Sequence, residues 1–340
     1  MTGRFTLMLF RRTDRAGSAS APSTEAIFAE IDALTAENRA RRDPELERRL
    51  VSLRHQAGRA LAAAGDRGDW VEPDLGALPP ETPPQIRADE LTPELLRAGI
   101  LRDGCVLVRG LIDPADAEAM RDEIDRAFRA RQANGNGAEP GLYEEFEGSP
   151  EDAAGMFARK WVADGGLWAA DSPRVMFSMA EALERNGLRD LIARYLGERP
   201  TISVQKCTLR KVAPDTGSAW HQDGAFLGDV RALNLWLALS HCGDVAPGLD
   251  IIPRRLDHIV ATGTEGAAFD WSVAPDVAQQ TAGETPILRP VFEPGDALFF
   301  DDLFLHATGA DPSMTEPRYA LESWFFAPSG FPSEYVPIAI

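Results

Sequence analysis

Hydrophobic positions recur along this chain with two different periods, and the change between them near residue 200 organises the whole sequence. From Thr24 to about Gly65, Ile27, Ile31 and Leu34, and then Leu46, Leu50, Leu53, Ala57 and Leu61, return every three or four residues, the spacing of one helix face. Asp43–Pro44 splits the stretch, because Asp caps a helix N-terminus and Pro suits its first position. Two helices are therefore predicted. Residues 66–90 carry several Pro and Gly without periodicity and read as a linker or extended wrap. A main domain begins near Leu91. LTPELLRAGILRDG predicts a helix ending at Gly104, CVLVRGLI a strand, and DPADAEAMRDEIDRAFRAR a helix capped by Asp113. RQANGNGAEPG is turn-rich, and Leu183, Leu188, Ile192 and Leu196 mark further helical faces. From Thr201 the runs become short and β-rich: TISVQKCTLRKV, RALNLWLALSHC, GLDIIP, ALFFDD, LHATG and RYALESWFF, separated by Pro/Gly turns. Many short strands in one continuous half predict a sandwich or jelly roll, with the upstream helices on one side. The expected partition is a mobile tail over 1–22, a helical extension and linker over 23–90, and a domain over 91–340.

Composition narrows the class. The 340 residues suffice for one large domain with elaborations or two modest ones, and 44% hydrophobic with 26% charged residues is ordinary for a globular protein. A net charge of −18 repels nucleic acid and anionic membranes, so neither is expected as a partner. Cys105, Cys207 and Cys242 are far apart and form no CxxC, which fits a reducing compartment and buried thiols rather than a disulfide framework. No apolar run reaches membrane-spanning length, and FTLMLF near the N-terminus is too short for a signal-peptide core. A cytoplasmic protein, monomer or homodimer, is the expectation. The N-terminal helices either cap the main domain or mediate dimerisation.

Candidate chemistry gathers around two of the five His. In SAWHQDGAFLGD, His221 and Asp223 stand two apart, and a strand places such residues on one face. His306, in EPGDALFFDDLFLHATG, returns on a later strand and can oppose them if residues 201–327 form one barrel. Two His and a carboxylate are the facial triad of non-haem Fe(II) oxygenases, although zinc accepts the same ligands. Thr308 shares the face of His306, and Arg318 lies twelve residues beyond it. A hydroxyl and a guanidinium fork together suit a carboxylate. The other His read as incidental: His55 as a surface or interface residue of the N-terminal helices, His241 as a strand-end residue beside Cys242, and His258 as a loop residue near a cavity rim.

In order, RDGCVLVRGLIDPADAEAMRDEIDRAF, AWHQDGAF, LNLWLALSHCGDVAPGLDIIP, EPGDALFFDDLFLHATGA and PRYALESWF resemble the phytanoyl-CoA dioxygenase family over roughly residues 91–328. The resemblance implies a mainly β architecture with flanking helices, a double-stranded β-helix (jelly roll, cupin-like). It implies an Fe(II)- and 2-oxoglutarate-dependent dioxygenase that uses O2 to hydroxylate a small organic substrate, releasing succinate and CO2. It implies His221, Asp223 and His306 as metal ligands, and Arg318 with Thr308 on the far carboxylate of 2-oxoglutarate. Gln205 is a further candidate donor to that cosubstrate. Asn234 and Trp236 share a strand face and read as pocket wall, though Trp236 reads equally well as core. Where the family often carries PGSH, this chain has PRRLDH. Arg254 and Arg255 then either meet an anionic substrate group or remain solvated. A non-catalytic jelly-roll binder of a small ligand or metal is the alternative reading, and a zinc hydrolase a third.

Overall fold

The computed structural model of the chain describes residues 22–340, apart from 66, 134–135, 160–161 and 163–164. The tail expected over residues 1–22 lies outside the described residues except for its last position. Helices α1 (Thr24–Ala40) and α2 (Pro44–Ala64) form where the periodicity places them. Asp43 accepts a hydrogen bond from the Glu45 N–H and caps α2, with Pro44 at its first turn. Within the stretch read as linker, β1 (Gln85–Arg87) forms. There follow α3 (Pro93–Asp103), β2 (Cys105–Arg109), α4 (Pro114–Gln132), β3 (Gly166–Trp168), α5 (Pro173–Arg185) and α6 (Leu188–Leu196).

The β-rich half comprises β4 (Thr201–Val212), a short α7 (Gly224–Leu227), β5 (Ala232–Ala238), β6 (Gly248–Ile251), α8 (Pro275–Ala282), β7 (Ala297–Phe300), β8 (His306–Gly309), β9 (Arg318–Phe326) and β10 (Pro337–Ala339). Strands β7, β5, β9 and β4 lie side by side, all antiparallel. β2 extends this sheet beyond β7 and β10 extends it beyond β4, while β1 joins β2 in parallel. The opposing sheet pairs β6 with β8 and continues through single bridges, His221 to His306 on one side and Ile251 to Leu288 on the other. Two antiparallel sheets interleaved in chain order make a jelly roll.

Each sheet face has its own apolar filling. Between the large sheet and the helices lies a core that includes Leu96, Ile124, Ile192, Leu209, Leu235 and Phe325. Between the two sheets lies a second core built from the alternate positions, among them Leu107, Trp236, Phe300, Ala320 and Trp324. Gly295, in the tight turn before β7, has φ +95, and a Cβ there would meet the Ile112 carbonyl oxygen at 2.3 Å, so only glycine lets this turn close.

The N-terminal helices pack onto the domain. α2 lies against β10 and α5, and Ile27, Leu50, Leu53 and Phe177 share a small core with Ala339. This corrects the surface reading of His55. It is 2% exposed, with Nδ1 2.9 Å from the Pro337 carbonyl oxygen and Nε2 2.8 Å from Asp152. The face of α2 that carries it is covered by the C-terminal strand, which lies far away in sequence. Among the described residues no helix is long and apolar enough to cross a membrane. All three cysteines are free and buried, and burial pushes the thiols of Cys207 and Cys242 up to about 12.

Candidate metal centre and its cavity

His221 and His306 meet through their own backbones. The His221 N–H donates to the His306 carbonyl at 2.9 Å and the His306 N–H donates back at 3.1 Å. This bridge sets the imidazole centroids 4.3 Å apart. Each Nδ1 faces the carbonyl two residues earlier, Ala219 at 2.9 Å and Phe304 at 3.1 Å. A carbonyl can only accept, so each Nδ1 carries the hydrogen and each Nε2 is left as a lone pair. Asp223 completes the group. One ligand atom from each residue lies within 4.8 Å of the others, as a metal ion requires.

The loop holding Asp223 is pinned by residues on either side of it. Gln222, fully buried, donates to the His258 and Leu303 carbonyls at 3.0 and 2.7 Å and accepts from the Val260 N–H at 2.8 Å. The Gly224 N–H donates to the Asp302 carbonyl at 2.8 Å, and a Cβ at Gly224 would meet Ile259 at 2.8 Å and Asp302 at 2.9 Å.

The electrostatics favour a bound cation. Asp223 Oδ2 is buried without a hydrogen-bond partner among the described residues. Burial pushes the Asp223 carboxyl above the usual carboxylate range, partly opposed by His221 and Lys206. Burial, reinforced by the neighbouring His221, pulls His306 down to about 3, so it is neutral, the form that ligates. A dication held by the two imidazole Nε2 atoms and the carboxylate would supply the partner that Oδ2 lacks.

These residues open onto a cavity of about 580 Å³ between the two sheets. Thr308 and Arg318 line it on the β6–β8 side: Thr308 pairs with Leu249, and Arg318 donates to the Gly248 carbonyl at 3.1 Å. Arg318 is 3% exposed, its Nε has no hydrogen-bond partner, and no carboxylate is paired with it among the described residues. Burial pulls its guanidinium down to about 10. Its nearest aromatic support is Trp236, 5.5 Å from guanidinium carbon to ring centroid, and that Trp is both cavity wall and core.

Other sequence-derived candidates stand differently. Gln205 lines the cavity, but its Nε2 donates to the Met156 carbonyl at 2.9 Å and its Oε1 accepts from the Val336 N–H at 3.0 Å. Asn234 is fully buried, both amide ends lack a partner among the described residues, it faces Phe300 and Trp324 in register, and it is not part of the cavity lining. Arg254 and Arg255 do not line the cavity either. Arg254 donates to the Thr281 carbonyl at 2.9 Å, and Arg255 is paired with the buried Asp301. His258 is exposed beside Asp257, and His241 sits at the surface between Glu293 and Asp244.

Sequence reasoning missed an ion pair in the cavity, Arg210–Glu322 at 2.9 Å. Burial alone raises the Glu322 carboxyl, but Arg210 outweighs it and holds it down at about 2. The two-residue alternation Arg318, Ala320, Glu322, Trp324 on β9 was the available signal.

The profile of the phytanoyl-CoA dioxygenase (PhyH) family matches residues 100–318. A search of curated proteins finds no match. Among solved structures, the chain is similar to the non-haem α-ketoglutarate-dependent carbocyclase SnoK from nogalamycin biosynthesis, with 14% identity over 73% of this chain and 87% of that one, TM-score 0.49. It is similar to EctD from S. alaskensis with bound Fe, with 17% identity over 69% of this chain and 78% of that one, TM-score 0.48. It is similar also to the epimerase SnoN in complex with Fe3+, α-ketoglutarate and nogalamycin RO, with 18% identity over 69% and 83%, TM-score 0.44. The match of the family profile spans the strand β2, the histidines, the aspartate and the arginine whose geometry is described above, and the chain belongs to the phytanoyl-CoA dioxygenase family.

Proposed function

We propose that the protein is an Fe(II)- and 2-oxoglutarate-dependent dioxygenase that hydroxylates a small organic molecule, with succinate and CO2 as coproducts. One observation carries the reading. A two-His, one-carboxylate group opens onto the same cavity as a buried arginine that has no acid partner among the described residues. A structural metal site needs no such arginine, and a buried cation left unpaired is costly unless a ligand completes it. His221, Asp223 and His306 would hold an iron ion as the two-His, one-carboxylate set used by non-haem Fe(II) oxygenases. Bound there, it would supply O2 activation coupled to oxidative decarboxylation of 2-oxoglutarate. Asp223 would be the third protein ligand, and a complete two-His, one-carboxylate set favours hydroxylation over halogenation.

The chain's own residues do the positioning. His221 and His306 present Nε2 because the Ala219 and Phe304 carbonyls hold their Nδ1 hydrogens. Gln222 and Gly224 fix the Asp223 backbone. Arg318 would receive the far carboxylate of the cosubstrate, with the Thr308 hydroxyl beside it. Trp236, Phe226 and Trp271 form apolar walls that limit water around the reacting atoms.

The test is succinate formation. Purified protein with Fe(II), 2-oxoglutarate and O2 is expected to release succinate, at least slowly even without its substrate, and Asp223→Ala or His306→Ala abolishes this. Succinate release that survives either substitution would refute the ligand assignment. Wild-type protein that binds iron but neither binds nor turns over 2-oxoglutarate would support the non-catalytic reading.

A further inference from the structure

Strand β4 breaks its own alternation beside the cavity. Before the break the even positions Ile202 and Val204 face the helices; after it the odd positions Cys207 and Leu209 do. The register against β9 shifts between Ile202 and Cys207, where five steps along β4 face two along β9, so β4 bulges by three residues. Ser203 Oγ accepts from the backbone N–H groups of Gln205 and Lys206 at 3.1 and 3.2 Å and braces this bulge. A strict two-residue period from Val204 would send Lys206 towards the helices; the bulge turns it into the cavity wall. There its ammonium lies 3.8 Å from the centroid of the Phe226 ring and 5.7 Å from that of Tyr335. No carboxylate pairs with it among the described residues.

The charges lining the cavity leave Lys206 as the remainder. Arg210 and Glu322 neutralise each other at 2.9 Å, and Glu334 stands at the exposed rim. On the function proposed above, on which this inference rests, Asp223 is committed to the metal and Arg318 to the cosubstrate. Arg318 pairs across the sheet with Val212, six positions along β4 from Lys206, so the two cations enter the cavity from different places: Arg318 beside the Gly248 carbonyl, Lys206 beside Phe226 and Tyr335.

We propose that Lys206 is the anion anchor of the substrate subsite, and that the substrate is a small monoanionic carboxylate whose apolar body lies along Phe226, Trp271 and Tyr335. A single ammonium supported by two rings, with the neighbouring guanidinium already committed to Glu322, matches one negative charge better than a phosphate dianion. The aromatic wall continues outwards. Trp271 packs edge-on against Phe226 at 5.8 Å and stacks on the half-exposed Phe269 at 5.1 Å, so a flat or aliphatic group has a continuous apolar path from solvent to Lys206.

The test compares acids with their neutral amides. Binding of phenylacetate against phenylacetamide, and of hexanoate against hexanamide, is measured by calorimetry with Mn(II) and 2-oxoglutarate saturating. Wild type is expected to prefer each acid by about tenfold, the scale of one charge-assisted contact. Lys206→Met removes the preference, Lys206→Arg keeps it, and both bind 2-oxoglutarate as wild type does. Equal binding of acid and amide by wild type, or a preference that survives Lys206→Met, overturns the proposal. So does a tenfold loss of 2-oxoglutarate affinity in Lys206→Met, which would make Lys206 a cosubstrate residue. Failure of the oxygenase reading appears separately, as absence of 2-oxoglutarate binding by wild type. The acid-to-amide ratio and its dependence on Lys206 can then still be read on the protein alone.

Discussion

Arg318→Met removes the guanidinium while keeping an unbranched side chain, and it separates a ligand-binding arginine from a structural one. Burial pulls the Arg318 guanidinium from 12.5 down to about 10. Carrying that charge therefore costs the folded protein on the order of 3 kcal/mol, at about 1.4 kcal/mol per tenfold. Met relieves this, but it leaves the Gly248 carbonyl without the donor now 3.1 Å away, a loss of about 1–3 kcal/mol. The two nearly cancel, so stability without ligands should change by less than about 2 kcal/mol, whereas breaking a buried structural ion pair costs about 3–5 kcal/mol. Cosubstrate binding should change far more. Losing a charged, two-pronged contact worth about 1.5–3 kcal/mol weakens 2-oxoglutarate roughly ten- to hundredfold. Urea unfolding of the apoprotein and calorimetric titration of 2-oxoglutarate into the Mn(II) form give both numbers. An unchanged affinity, or a large loss of apoprotein stability, would refute the argument that Arg318 is held ready for a ligand.

Asp223→Asn is expected to keep the fold while abolishing iron binding, read by metal analysis after desalting; retained stoichiometric iron would contradict the ligand assignment. Gly224→Ala forces a methyl group against Ile259 and Asp302 at under 3 Å and should cost about 1–3 kcal/mol with weakened metal affinity; an unfolding midpoint equal to wild type would show that the loop yields. At His241, the hydrogen bond that the ring donates to Glu293 raises the imidazole pKa against partial burial, with Asp244 assisting. A raised folded-state pKa stabilises fully below the unfolded value of about 6.5 and loses that contribution as pH climbs through the folded value. His241→Gln should therefore lower Tm relative to wild type at pH 6, and the gap should close by pH 9. A gap that widens with pH would reverse the sign and refute the pairing.

What could be read from the sequence was what depends on local period. The caps at Asp43 and Asp113, the short strands after Thr201, and the two-residue spacings His221–Asp223 and His306–Thr308 all declare themselves within a few residues. The jelly roll then brings His306 to His221 through one backbone bridge. What was hidden depends on partners far away in sequence. His55 is buried because β10, nearly three hundred residues later, covers its helix. Arg255 is occupied because Asp301 reaches it from the end of β7. Gln205 is a sound candidate donor until the Met156 carbonyl and the Val336 N–H claim both ends of its amide. Lys206 was hidden for a different reason. The bulge at Ser203–Lys206 reverses which parity of β4 faces the cavity, and alternation alone assigns it to the wrong side.

The most direct measurement is anaerobic. Fe(II) and 2-oxoglutarate are added separately and together to the apoprotein, and the visible spectrum is recorded. The account predicts a metal-to-ligand charge-transfer band that needs both additions and is absent from His306→Ala. Iron that binds stoichiometrically at His221, Asp223 and His306, yet gives no band with saturating 2-oxoglutarate, would contradict it.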